Sequence, residues 1–413
     1  MFKNYLKVAI KVLLRRKFFT GVSLFGIAFT LFVLLVATAM LDHSFRPQRP
    51  EVHGDRLLMV SHMAMVGPHA TQSSSAGYAF LDRYVRPMQG PEAVAIASRV
   101  NQLVGFHDGR RIDSRIRLTD GEYWRILDFD FVEGGPFGDD DEAAANRVAV
   151  INEATRDRYF GGGSVVGRTI ELDGRPFRIV GVVRNVPIIR AAAFSDIWVP
   201  ISTSKSDSYK RDIIGGFMGL ILAPTAEAVP AIQAEFQRLL SEVELPDPQT
   251  FEHLYGGADT YLQAVAREMF SQQYDDAPTE RVWALIVGAM LAFMLLPAIN
   301  LVNLNLSRIL ERSSEIGVRK AFGASSRALV LQLVIENLVL TTIGGAVGLA
   351  CAAVALAIIN RIGFIPYADF TMSPRAFVYG LALVLVFGLL SGVYPAWRMS
   401  RLHPAQVLGG RSI

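Results

Sequence analysis

Only one cysteine, Cys351, occurs among the 413 residues, and it sits inside an apolar run. An intrachain disulfide is therefore excluded, as is a metal site built from several thiolates. Charge is scarce too: Asp, Glu, Lys and Arg supply 19% of the chain, against about 25% in an ordinary soluble protein. There are seven lysines, and none follows a glycine. A phosphate-binding loop needs a lysine in that place to reach the β- and γ-phosphates while backbone N–H groups cradle the rest, so the sequence offers no nucleotide-hydrolysing motif. The seven histidines are scattered, and neither H-E-x-x-H nor G-x-S-x-G occurs, which leaves metalloprotease and serine-hydrolase chemistry without a candidate centre. A net charge of +3 is weak support for a nucleic-acid partner.

Hydrophobic residues, by contrast, make up 51% of the chain and are concentrated in blocks. About 20 apolar residues are needed to cross the hydrocarbon core as a helix. Four segments meet that length: 18–41, 282–306, 327–359 and 376–397. The first is too long for the apolar part of a signal peptide, and no small-residue cleavage site follows it cleanly, so it reads as retained. The expected fold class is a membrane protein of four transmembrane α-helices with a large α+β extracytoplasmic domain, 42–281, between the first and second.

Orientation follows from the Lys/Arg bias of short loops. Lys3, Lys7, Lys11, Arg15, Arg16 and Lys17 precede the first span, and Arg308, Arg312, Arg319, Lys320 and Arg327 lie between the second and third. Arg398, Arg401 and Arg411 follow the fourth, whereas the loop 360–375 carries only Arg361 and Arg375. Both termini and the segment 307–326 are thus expected in the cytoplasm, with 42–281 outside. The four-residue spacing of Lys3, Lys7, Lys11 and Arg15 opposite Phe2, Leu6 and Ile10 makes 1–17 a basic amphipathic helix suited to inner-leaflet headgroups. A plain positive-inside anchor explains the same residues, and the two readings are compatible. The tail 398–413 completes the cytoplasmic side.

The outer segment alternates short β-like runs with turn signals. The run 147–152 reads as a strand, 153–160 as a short helix and Gly161–Gly163 as a turn, and two further strands are joined by Asp173-Gly174, a dipeptide favoured in tight hairpins. Helical spacing over 226–243 puts Ile232, Phe236 and Leu239/Leu240 on one face. The reading is an α+β domain of two subdomains. Asp139–Glu142 lacks the alternating ligands and central glycine of a calcium loop, so it is read as an acidic surface loop.

Within the membrane, Glu336 and Asn337 fall near the start of the third apolar segment, whose length places them at its cytoplasmic boundary with an interfacial or packing role. Gly344 and Gly348 form a small-xxx-small pattern that permits close helix approach. Pro297 is expected to kink the second span. No span carries a line of charges, so no polar path through the bilayer is visible.

Between spans two and three, Glu315 precedes Arg319 by four residues, and Arg308, Glu311, Arg312, Glu315 and Arg319 share a stripe opposite Leu306, Ile309 and Ile316. Taken alone, this is as much a charge-paired linker helix as a docking helix. The segment closely resembles the R-x-x-E-I-G-x-R-K-A-x-G-A pattern of the MacB/FtsX-like family of ABC transporter permeases, carried here by Arg312, Glu315, Ile316, Gly317, Arg319, Lys320, Ala321, Gly323 and Ala324. The closing YPAWRMSRLHPAQVL is similar to that family's end, departing at Ser400 where alanine is usual. Tyr123–Leu127, Glu133–Phe137, Val148–Asn152, Phe160-Gly161, Val166-Gly167, Ile179–Val183 and Asp196–Pro200 resemble its periplasmic core.

The resemblance implies a permease that couples a separate cytoplasmic ABC ATPase to an outer domain, with Arg312, Glu315, Ile316, Gly317, Arg319, Lys320 and Gly323 in the coupling segment. It also implies no cofactor of the chain's own (ATP belongs to the partner), a second permease protomer, an optional periplasmic adaptor, and a bacterial inner-membrane location. Substrate would be periplasmic or extracted from the membrane. Two other readings stay open: a transmembrane regulator of a periplasmic enzyme such as a cell-wall hydrolase, and a membrane-anchored enzyme. The last would need clustered catalytic residues that 43–280 does not offer.

Overall fold

The computed structural model describes residues 10–11, 13–15, 17–107, 110–271, 275–311, 318, 322, 325–371, 375, 378–380, 382 and 386. The chain divides into a helical unit, Met1–His43, Ala284–Phe364 and Phe370–Ile413, and an outer unit, Ser44–Trp283 with Ile365–Asp369. Helix α1 (Lys17–Phe45) opens the first. Its buried residues Ser23, Ile27, Thr30, Leu31, Leu34 and Leu35 recur every three to four positions, so one stripe faces protein. Phe18, Phe25 and Phe29 are exposed. Thr30 and Thr38 return their hydroxyls to the carbonyls of Gly26 and Leu34, at 2.8 and 2.7 Å.

The outer unit is a mixed sheet with helices on it. Its strands are β1 (Leu57–Val60), β2 (Met63–Val66), β3 (Thr71–Ala76), β4 (Ala93–Ser98), β5 (Asn101–His107), β6 (Arg110–Thr119) and β7 (Phe131–Gly134). They are followed by β8 (Val148–Asn152), β9 (Thr169–Leu172), β10 (Arg175–Val183), β11 (Ile197–Pro200), β12 (Ile214–Gly215), β13 (Phe217–Leu222) and β14 (His253–Gly256). The path runs β14-β2-β3-β13-β4-β6-β11-β8-β10-β7, with β1 on β13, β12 on β3, β5 on β6 and β9 on β10. Pairs β10–β8 and β11–β6 are parallel, and the others are antiparallel. The β4–β6 pairing of Ala97 with Thr119 joins the two halves of the path, and 44–283 is one compact unit.

Helices α2 (Glu122–Ile126), α3 (Glu153–Phe160), α4 (Val229–Glu242) and α5 (Tyr261–Phe270) pack on this sheet. Asn152 caps α3 by accepting the N–H of Thr155 at 2.8 Å, and Gly161, at φ 70°, ends it in the left-handed conformation that glycine tolerates best. Helix α4 buries Val229, Ile232, Phe236 and Leu240 along one face, against Phe80 and the strands around it. Hairpin β9–β10 turns at Asp173 and Gly174, whose φ values of 53° and 72° suit the right-handed twist of paired strands. The acidic run is not a loop. Asp139–Ala143 is a short helix whose first turn collects the carboxylates, where N–H groups and dipole favour them.

Helix α6 (Thr279–Glu311) starts three residues before the expected span and continues past it, unbroken through Pro297. Helix α7 spans Ser326–Ile362. Among the described residues two helices are long and apolar enough to cross a membrane, Lys17–Phe45 and Val334–Ile362. Most of 376–397 lies outside the described residues.

Candidate functional site

Arg312, Glu315, Ile316, Gly317, Arg319, Lys320 and Gly323 lie outside the described residues. The helices leading to them are described. α6 ends at Glu311 and α7 begins at Ser326. Early in α7, Gln332 Nε2 donates to Glu336 Oε1 at 3.0 Å, and Thr341 donates to the carbonyl of Asn337 at 2.8 Å. A turn or two later the helix comes close to α1. A Cβ on Gly344 would lie 2.9 Å from Cβ and Cγ2 of Ile27. One on Gly348 would lie 2.6 Å from the carbonyl oxygen of Ala28 and 3.1 Å from Leu31 Cβ. The backbones meet at a distance only glycine allows.

In the outer unit the notable chemistry is a set of buried charges. Asp259 takes two bonds from Arg267, at 2.7 and 2.9 Å, with both side chains buried, and its backbone exchanges hydrogen bonds with Met59 of β1. Arg190 lies 3.5 Å from Glu51 and donates to the carbonyl of Arg46 at 2.9 Å. Burial raises the pKa of Glu51 against the opposing pull of Arg190 and the N–H groups of Ala192 and Ala193. The pair borders a cleft of about 40 Å³ with Phe45, Pro47, Met59 and Tyr261. That is room for a few waters, far below the ~300 Å³ at which ligand pockets begin.

Asp120 accepts from Ile96 N–H, Tyr123 N–H and Arg86, and burial pushes its pKa up to about 6 despite the arginine. Asp196 is held from three other elements. Its Oδ2 accepts Arg115 N–H at 2.8 Å, and its Oδ1 accepts Asn152 Nδ2 at 3.1 Å and the hydroxyl of Tyr367 at 2.9 Å. Arg158 is 3.4 Å from the same oxygen. Each of these carboxylates is held by a cation or a backbone N–H, so they act as struts between elements. Among the described residues no group of three His, Cys, Asp or Glu is placed to hold a metal. Sequence reading missed Tyr367, Glu51, Arg190 and Asp120, whose partners are distant in the chain. It had Asp196 only as the first residue of a matching strand.

An apolar helical unit with an α+β domain inserted after its first helix is the build of a membrane permease. Residues 20–239 match the MacB-like periplasmic core domain, and residues 287–404 match the FtsX-like permease C-terminal domain. The chain belongs to the MacB/FtsX-like family of ABC transporter permeases. The ABC transporter permease YknZ of Bacillus subtilis is 24% identical over 343 residues, covering 81% of this chain and 80% of that one. The macrolide export ATP-binding/permease protein MacB of Wolinella succinogenes is 26% identical over 296 residues, covering 71% of this chain but 43% of that longer protein. A crystal structure of the extracellular domain of the noncanonic ABC-type transporter YknZ from Gram-positive bacteria aligns with 48% of this chain and 98% of that domain, at 17% identity and a TM-score of 0.37.

Proposed function

We propose that this permease is driven by a separate cytoplasmic ABC ATPase seated on 307–326, and that its helices carry the resulting movement to the outer domain. Four spans with both termini inside, a second protomer and close packing of α7 on α1 at Gly344 and Gly348 belong to the same reading. Work would be done on a periplasmic or membrane-extracted substrate. MacB relatives named for macrolide export give the precedent for export.

One observation supports transmission most. Helix α6 is continuous for 33 residues, from Thr279 to Glu311, about 50 Å at 1.5 Å per residue. Its first residues belong to the outer unit, and its last abuts the segment that carries the coupling pattern. A helix without a break passes on a displacement that a loop would absorb. Inserting four glycines between Trp283 and Ala284 therefore leaves the ATPase bound but weakens the response of the outer domain to ATP, read by spectroscopic labels in 44–283. An undiminished response in the insertion variant rules out transmission through α6.

A further inference from the structure

The loop between α7 and the last apolar segment does not hang free. Gly363, at φ 65°, ends α7 by donating to the carbonyls of Ile359 and Asn360. On the far side, Asn360 Nδ2 donates to the carbonyl of Phe370 at 3.0 Å, and Phe370 N–H returns to Asn360 Oδ1 at 2.9 Å. The two ends of the loop are thus pinned together within the helical unit. Its tip, Ile365–Asp369, belongs instead to the outer unit.

That tip is held by side chain and backbone. Ile188 N–H donates to the carbonyl of Pro366 at 3.3 Å, and the Tyr367 ring lies 6.5 Å from that of Phe194. The hydroxyl of Tyr367 donates to Asp196, which is 1% exposed and already fixed by Arg115 of β6 and Asn152 of β8. Tyr367 adopts φ 61°, a conformation unfavourable for a bulky L-residue that persists only where neighbouring contacts enforce it. The loop thus has tied ends and a tip bonded, through Asp196, to β6 and β8.

We propose that Ile365–Asp369 is a second transmission strap, with Tyr367 as its positioning residue: it passes displacement at the outer end of α7 into β6 and β8 through Asp196. This rests on the transmission reading above and adds a route independent of α1 and α6. Tyr367→Phe deletes one hydroxyl and keeps the ring. Asn360→Ala loosens the tied ends from the helix side and leaves Tyr367 intact.

The test is hydrogen exchange on the full chain, in lipid nanodiscs, with its co-purified ATPase. Losing one hydrogen bond to a carboxylate speeds exchange of the Ile188 amide roughly tenfold in Tyr367→Phe, while β8 amides stay unchanged. An Ile188 amide that exchanges as in wild type overturns the strap. With ATP and vanadate, wild type changes exchange in both 186–198 and 365–370. In Tyr367→Phe and in Asn360→Ala the change stays confined to 365–370. If both variants still pass the full change to 186–198, the strap is not the route, and transmission through α6 survives. If wild type shows no change in either segment, transmission itself fails and the strap with it.

Discussion

Asp120 shows how a single buried carboxylate ties the outer domain together and what its burial costs. Its oxygens hold β4 at Ile96, the start of α2 at Tyr123, and Arg86. Its pKa rises from 3.8 to about 6, so desolvation outweighs the attraction of Arg86. The folded state therefore binds a proton that the unfolded chain, between pH ~4 and ~6, has already released. Stability from this group is full below pH ~4 and falls as pH rises through ~6, by about 3 kcal/mol in all at ~1.4 kcal/mol per unit. Glu51 and Glu142 are shifted in the same direction, also by burial. Thermal unfolding of the full chain is expected to show wild type gaining on Asp120→Asn by about that amount between pH 7 and pH 4. A constant difference across that range contradicts the assignment. No sequence pattern marks Asp120, because its partners Arg86 and Ile96 sit in other elements and only the fold brings them together.

Elements were legible where the cause is local. The Asp173-Gly174 turn follows from two neighbours that tolerate positive φ, and α3 follows from Asn152 before it and Gly161 after it. Replacing Gly174 by Ala is expected to cost about 1 kcal/mol, through backbone strain at φ 72° alone. Helix α4 was readable from its apolar spacing. Phe236→Ala is expected to cost about 3–5 kcal/mol, since that ring is fully buried against Phe80. Where local and distant causes compete, sequence and structure differ: Asp139–Glu142 reads as an acidic surface loop, yet it is a surface helix in which Glu142 accepts Ser202 N–H and Asp139 pairs with Arg125. In the helical unit, an added Cβ at Gly348 meets backbone, whereas Gly288 has nothing within 4 Å. Gly348→Ala is therefore expected to lower the melting temperature in detergent by several degrees while Gly288→Ala leaves it within a degree or so. Equal effects would remove the close approach of α7 to α1.

At the scale of the molecule, family membership was legible because several motifs recur in order across most of the chain, and both family domains match in that order. The join within the outer sheet was not, because Ala97 pairs with Thr119 and Ile96 N–H donates to Asp120 across elements that no run of sequence brings together. Nor was the strap: Tyr367 lies in a short loop of ordinary composition, and its acceptor is 171 residues away. In the proposed function an ABC ATPase seats on 307–326, and there the decisive measurement is an affinity purification in mild detergent of tagged wild type beside Glu315→Lys/Arg319→Glu. The account predicts that an ABC ATPase co-purifies with wild type and is lost from the double variant, with both chains equally folded by melting. An ATPase retained undiminished by the double variant, or absent from wild type even after crosslinking in native membranes, contradicts it.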